Sequence, residues 1–138
     1  MINFFMGLIK WTIPSIDKKS YRKLILQYQE EGMTVIHCSY VSPDKYFNGG
    51  WVNIHKTTYL VQPGGGELGL LHAENIPLAP RRHIFEKAGV EKRFTLYFPL
   101  LPKNWDSFDF VERTPSATGF VIRNICRNDS GVYEVRLG

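Results

Sequence analysis

Cysteine is scarce in this sequence: Cys38 and Cys126 are the two it has. Neither belongs to a Cys-x-x-Cys pair, so a disulfide framework and a dithiol redox motif are excluded. One bridge across two sheets and two buried thiols both remain open readings, because the sequence cannot supply the required Cα separation. Long apolar runs are also missing. The longest near the start, Ile2–Ile9, falls far short of the roughly 20 residues that a membrane-crossing helix needs, so no transmembrane segment is expected. That stretch has no basic n-region and no small-residue cleavage site, which leaves a cytoplasmic address open.

Catalytic signatures are equally thin. There is no Gly-x-Ser-x-Gly elbow, the strained turn that exposes a serine nucleophile. Pro63-Gly64-Gly65-Gly66 is followed by no Gly-Lys-Ser/Thr, so it is a turn and not a phosphate cradle. The histidines at 37, 55, 72 and 83 never stand two or four residues apart. A metal site would need them to converge from different strands, with His37 and His55 the pair placed to meet. His37 precedes Cys38, but adjacent strand residues point to opposite faces and cannot form a dyad. The carboxylates are scattered, with Asp106, Asp109 and Glu112 nearest one another and each open to a structural explanation. The expectation is a protein that is not an enzyme and needs no cofactor.

What the sequence has in quantity is strand material. Aromatic residues make up 14% of the 138 residues, and 12 glycines and 8 prolines break the chain at short intervals. That combination favours short strands joined by turns. The length suits one domain with a core of its own. Net charge is +4, which suits a soluble surface and mildly favours acidic partners.

The pattern is clearest in Arg93–Glu112. Phe94, Leu96 and Phe98 alternate with Thr95 and Tyr97; Pro99 and Pro102 then bracket a corner; Phe108 and Phe110 resume the alternation around Asp109. Proline cannot donate to a ladder, so the corner ends one strand before the next begins. Elsewhere the chain predicts a hairpin of 22–29 with 33–41, with Ile36, Cys38 and Tyr40 on one face. Further strands are predicted at 51–55, 57–62 and 67–72, and a short edge strand at 82–85. At 119–126, Phe120, Ile122 and Asn124 share one face and Val121 and Ile125 the other. At 132–137, Tyr133, Val135 and Leu137 align. Residues 1–20 read as a separate terminal segment, with Phe4, Phe5, Leu8 and Trp11 on one helical face before Pro14. Residues 21–138 read as a single all-β domain, an antiparallel β-sandwich of about seven to nine strands.

Several of these segments together resemble a known module. WVNIHKTTYLV, LLHAENIPLAP, RFTLYFPLLPKNWDSFDFVE and GFVIRNI are similar to a small immunoglobulin-like β-sandwich of Bacteroidetes cell-envelope proteins. The similarity maps onto Tyr59-Leu60-Val61, Gly64–Gly66, Leu70–Ile76, Phe94–Lys103 and Phe108–Glu112. It implies an immunoglobulin-like sandwich and an envelope or periplasmic address, and it implies no catalytic residue. Some relatives continue into a thioredoxin-like domain, whose chemistry does not transfer to a chain without Cys-x-x-Cys.

Function therefore rests on surface chemistry. Arg81, Arg82, His83, Lys87, Lys92 and Arg93 gather on two neighbouring segments. Glu86 and Glu91 dilute this charge, and no single-strand-binding signature accompanies it, so nucleic acid is not the expected partner. A protein partner of unknown identity is expected, touching Arg81, Arg82 and, in the corner loop, Trp105. Carbohydrate is the alternative, stacked on Trp51, Trp105 or Tyr46; a hydrolase is the third.

Overall fold

The computed structural model describes residues 19, 32–45 and 48–138. The predicted terminal helix and the 22–29 half of the predicted hairpin lie outside these residues.

Every element among the described residues is a strand: β1 (Met33–Val41), β2 (Trp51–Val52), β3 (Thr58–Gln62), β4 (Gly66–Gly69), β5 (His72–Glu74), β6 (His83–Ile84), β7 (Glu91–Pro99), β8 (Ser107–Glu112), β9 (Val121–Cys126) and β10 (Val132–Leu137). One four-stranded sheet runs β10-β1-β7-β5 and a second runs β4-β3-β8-β9, while β2 and β6 form a separate two-stranded ribbon. The described residues are thus all-β, with ten strands against the seven to nine expected, the predicted return strand at 67–72 dividing into β4 and β5.

The sheets share one core. Ile36, Cys38, Phe94, Leu96, Phe98, Tyr133 and Leu137 from the first pack against Leu60, Phe108 and Phe110 from the second. Rings interlock across the layers, Phe98 against Phe110 and Phe108 against Tyr133, both edge to face. Burying Phe94, Leu96 and Phe98 stabilises the fold by about 2 kcal/mol each. The alternation in β7 and β8 therefore does what it predicts. A second buried cluster, Met33, Val35 and Tyr97, sits on the opposite face of the first sheet.

Three expectations need correction. The ladders are not all antiparallel: β1 runs parallel to β10, Val35 beside Val132 and Tyr40 beside Leu137. These strands are the outermost in the described chain order and no hairpin joins them, so nothing local forces them antiparallel. Nor does β1 offer 22–29 a place, because β10 and β7 occupy its two edges. Finally, β9 is bulged. Phe108 pairs with Ile125 but Phe110 with Ile122, which puts one extra residue into β9. Asn124 takes a φ of 61° and faces solvent, and the strand's phase flips so that Ile125 joins Phe120 and Ile122 against the core.

Among the described residues the chain crosses between the two four-stranded sheets four times, and two of these crossings shape the core. After the β3–β4 hairpin, closed by Gly65 N–H donating to the Gln62 carbonyl at 2.7 Å, the predicted return strand splits. Leu70 N–H still bonds Thr58 in the second sheet, whereas Leu71 N–H bonds Tyr97 in the first. The other crossing is the proline corner between β7 and β8. There Leu101 N–H donates to the buried Thr34 hydroxyl at 3.1 Å, and Leu101 and Trp105 fill the core beneath it.

Candidate interaction site

The ribbon is too short to hold itself together, so its flanks anchor it. Val52, Ile54 and Phe85 enter the core. Phe85 N–H donates to the Gly50 carbonyl at 3.0 Å, and Ala79 N–H to the Ile54 carbonyl at 2.9 Å. The buried Asn53 side-chain amide donates to the Arg81 carbonyl at 2.7 Å. On the other side Ser42 ties the loop before the ribbon to the chain after it: its hydroxyl donates to the Lys87 carbonyl at 3.0 Å and accepts from Val90 N–H at 2.9 Å. Gly49 is required here, since a Cβ would lie 2.3 Å from the Lys87 carbonyl oxygen.

On this frame Trp51 and Ile84 stand directly opposite each other across the ladder, 46% and 69% exposed. The Arg82 guanidinium lies over the Trp51 ring at 4.2 Å from its centroid. Val41, Lys45 and Arg136 join them around a concavity of about 980 Å³ at one end of the molecule. No Asp or Glu is among its described lining residues. A smaller concavity of about 220 Å³ shares Tyr40, Trp51 and Phe120 with it, and His55 and Glu112 lie along its wall.

Glu112 is buried, and its chemistry is that of a clamp. One carboxylate oxygen accepts from His55 N–H at 2.9 Å and lies 3.1 Å from His55 Nδ1; the other accepts from Phe120 N–H at 3.0 Å. Gly119 makes the approach feasible, because a Cβ there would meet the Glu112 carbonyl oxygen at 2.0 Å. Asp109 acts similarly at the bulge, accepting from Asn124 N–H at 2.8 Å and facing Arg123 at 3.3 Å. Both buried acids thus satisfy backbone donors that irregular strands leave open.

The other titratable groups are dispersed. His37 bonds the Thr95 hydroxyl at 2.9 Å, so it does not meet His55. His83 packs edge-on to Phe85, and burial, then the charge of Lys92, hold it below the ordinary histidine range. Among the described residues no three His, Cys, Asp or Glu side chains converge as metal ligands. Both cysteines are free. Cys38 is buried, and burial pushes its thiol up to about 12; Cys126 is exposed, so the two neither bridge nor share an environment. A second concavity, of about 770 Å³, lies along β1, β7 and β10 and carries mixed charge, including Glu74, Arg93, Glu134 and Arg136.

The residues expected to bind a partner separate. Arg82 is at the site. Arg81 is exposed but does not line the concavity, and Arg93 pairs with Glu91 at 2.8 Å on the outer face of β7. Trp105 is 3% exposed, so it packs the corner and contacts no partner. Its carbonyl and that of Pro102 accept from the Arg127 guanidinium at 3.1 and 2.7 Å. Trp51 keeps the exposure that the carbohydrate reading asked for, and Tyr46 lies outside the described residues. Trp51 facing Ile84 was not foreseen; an exposed Trp-Val across from His-Ile was its one sequence signal. Comparison of the chain with protein-family models, curated proteins and solved structures finds no match.

Proposed function

We propose that this chain is a non-catalytic accessory or protein-interaction module, an immunoglobulin-like β-sandwich of the bacterial cell envelope. One observation carries the reading. Three of the large exposed apolar residues, Val41, Trp51 and Ile84, gather around one cationic concavity, whereas the buried acids Asp109 and Glu112 are engaged by backbone donors. Exposed apolar residues in a patch mark interaction surfaces more than isolated ones do. The envelope address and the immunoglobulin-like type rest on the sequence resemblance.

The test is retention of a partner by the immobilised chain from envelope and cytosolic fractions prepared separately. A defined partner from the envelope fraction supports the module and its address. Turnover of an ester, peptide or glycoside substrate that disappears in His55→Ala would replace the module with a hydrolase. Carbohydrate binding is the second reading, favoured by the exposed Trp51 ring. Arg82 covers one face of that ring, which leaves less of it for a sugar. Saturable quenching of Trp51 fluorescence by oligosaccharides, lost in Trp51→Phe, would establish it.

A further inference from the structure

We infer that the Trp51–Ile84 face of the ribbon docks a protein segment presenting a carboxylate beside an aliphatic side chain. This rests on the interaction-module reading and names the surface and the chemistry of its partner.

The apolar half follows from register. Trp51 and Ile84 are opposed on one face of a two-stranded ladder, so their side chains form one contiguous strip. Val41 lies along the same concavity and is exposed as well. The volume, about 980 Å³, is at the upper end of what ligand sites enclose and admits several side chains of an extended segment.

The charged half follows from Arg82. It is fixed over Trp51 at 4.2 Å, and no carboxylate among the described residues pairs with it. Arg136 is different, since it acts on Glu91. Arg82 thus offers an arginine already held by an aromatic ring, the pairing that recurs at interface hot spots. Arg82 stands on the wall of a concavity with no Asp or Glu among its described lining residues, so charge complementarity selects an acidic occupant. Nucleic acid shares the charge but does not use the aligned Trp51–Ile84 strip, and an anionic membrane is flat where this surface is concave.

The edges of the two sheets are poorer candidates. β4 and β5 are short, β9 is bulged, and β10 carries Glu134 and Arg136. These are devices that discourage strand addition.

The test is panning of random displayed peptides against the full chain, followed by fluorescence anisotropy with the selected peptides. The expected sequences pair Asp or Glu with Leu, Ile or Val. Arg82→Glu and Ile84→Asp should each weaken binding roughly tenfold or more, and added salt should weaken the wild type. Leu100→Asp, at an exposed site elsewhere, should change nothing. Thermal melts of the variants exclude unfolding, and substitutions at these exposed positions leave the fold intact. Selected peptides without acids, or peptides unaffected by both ribbon variants, overturn the inference; in the second case the module reading stands and its surface lies elsewhere. Tighter, Arg82-dependent binding of single-stranded oligothymidylate or phosphatidylglycerol vesicles also overturns it. If panning yields no binder the inference fails, and if the fractions also yield no partner the module reading fails with it.

Discussion

Two arginine–tryptophan pairs in this molecule do opposite jobs. At the proline corner Trp105 is 3% exposed, and the Arg127 guanidinium holds the Trp105 and Pro102 carbonyls. At the ribbon Trp51 is 46% exposed, and the Arg82 guanidinium sits over the ring itself, 4.2 Å from its centroid. The first guanidinium serves the backbone and the second leaves its hydrogen-bonding edge for something else. The residue types are the same, so composition does not separate fold from site; the partners of each group do.

The comparison is broken most severely by disrupting the core that the corner serves. Leu96 is fully buried between the sheets, and Leu96→Asp would place an unpaired carboxylate there, at a cost of several kcal/mol. The expected outcome is a chain with no cooperative melt by circular dichroism. A near-normal melt would remove Leu96 from the core.

Glu112 comes next. In Glu112→Ala the part-buried His55 and Phe120 N–H groups lose their acceptor, so stability should fall on the order of 2 kcal/mol, at about 1 kcal/mol per hydrogen bond. Urea unfolding measures it. A neutral result would mean that the Glu112–His55 pair is not a structural clamp and would reopen the hydrolase reading.

The two arginines sharpen the contrast directly. Arg127→Ala should lower stability by about 1–3 kcal/mol, since two carbonyls lose a charged donor. Arg82→Ala should change it by about 0.5 kcal/mol or less, as surface substitutions do. Equal losses would make Arg82 a structural residue.

The smallest effect is a pH response of the ribbon. His83 sits below the ordinary histidine range, through burial and then Lys92. A base lowered in the folded state takes up its proton first in the unfolded chain. Its contribution is therefore full above the ordinary histidine range and is lost as pH falls through it. Melting temperature should decline between about pH 8 and about pH 5, and less so in His83→Gln. An identical decline in both proteins would assign the response to other groups.

Much of the fold was legible because alternation is a strong local signal where strands are long. β7, β8 and β10 place Phe94, Leu96, Phe98, Phe108, Phe110, Tyr133 and Leu137 in the core as the sequence implies. Other features depend on contacts that the sequence does not advertise. β1 meets β10 from the far end of the described chain, and no turn signal links them. The phase flip in β9 needs one residue, Asn124, in a left-handed conformation, and periodicity counted through it goes wrong. Trp105 lies in a polar, proline-framed loop that reads as surface until Leu101 and Arg127 are seen to fold it inward. β2 and β6 have two residues each, too few to show any period, so Arg82 was legible as charge but its seat on Trp51 was not.

The central claim is that the corner builds the domain and the ribbon presents it. Urea unfolding of Trp105→Ala and Trp51→Ala side by side tests this most directly. The account predicts a loss of about 3–5 kcal/mol for Trp105→Ala, as for a large core aromatic, and about 0.5 kcal/mol or less for Trp51→Ala. Equal losses, or a larger loss at Trp51, would contradict it.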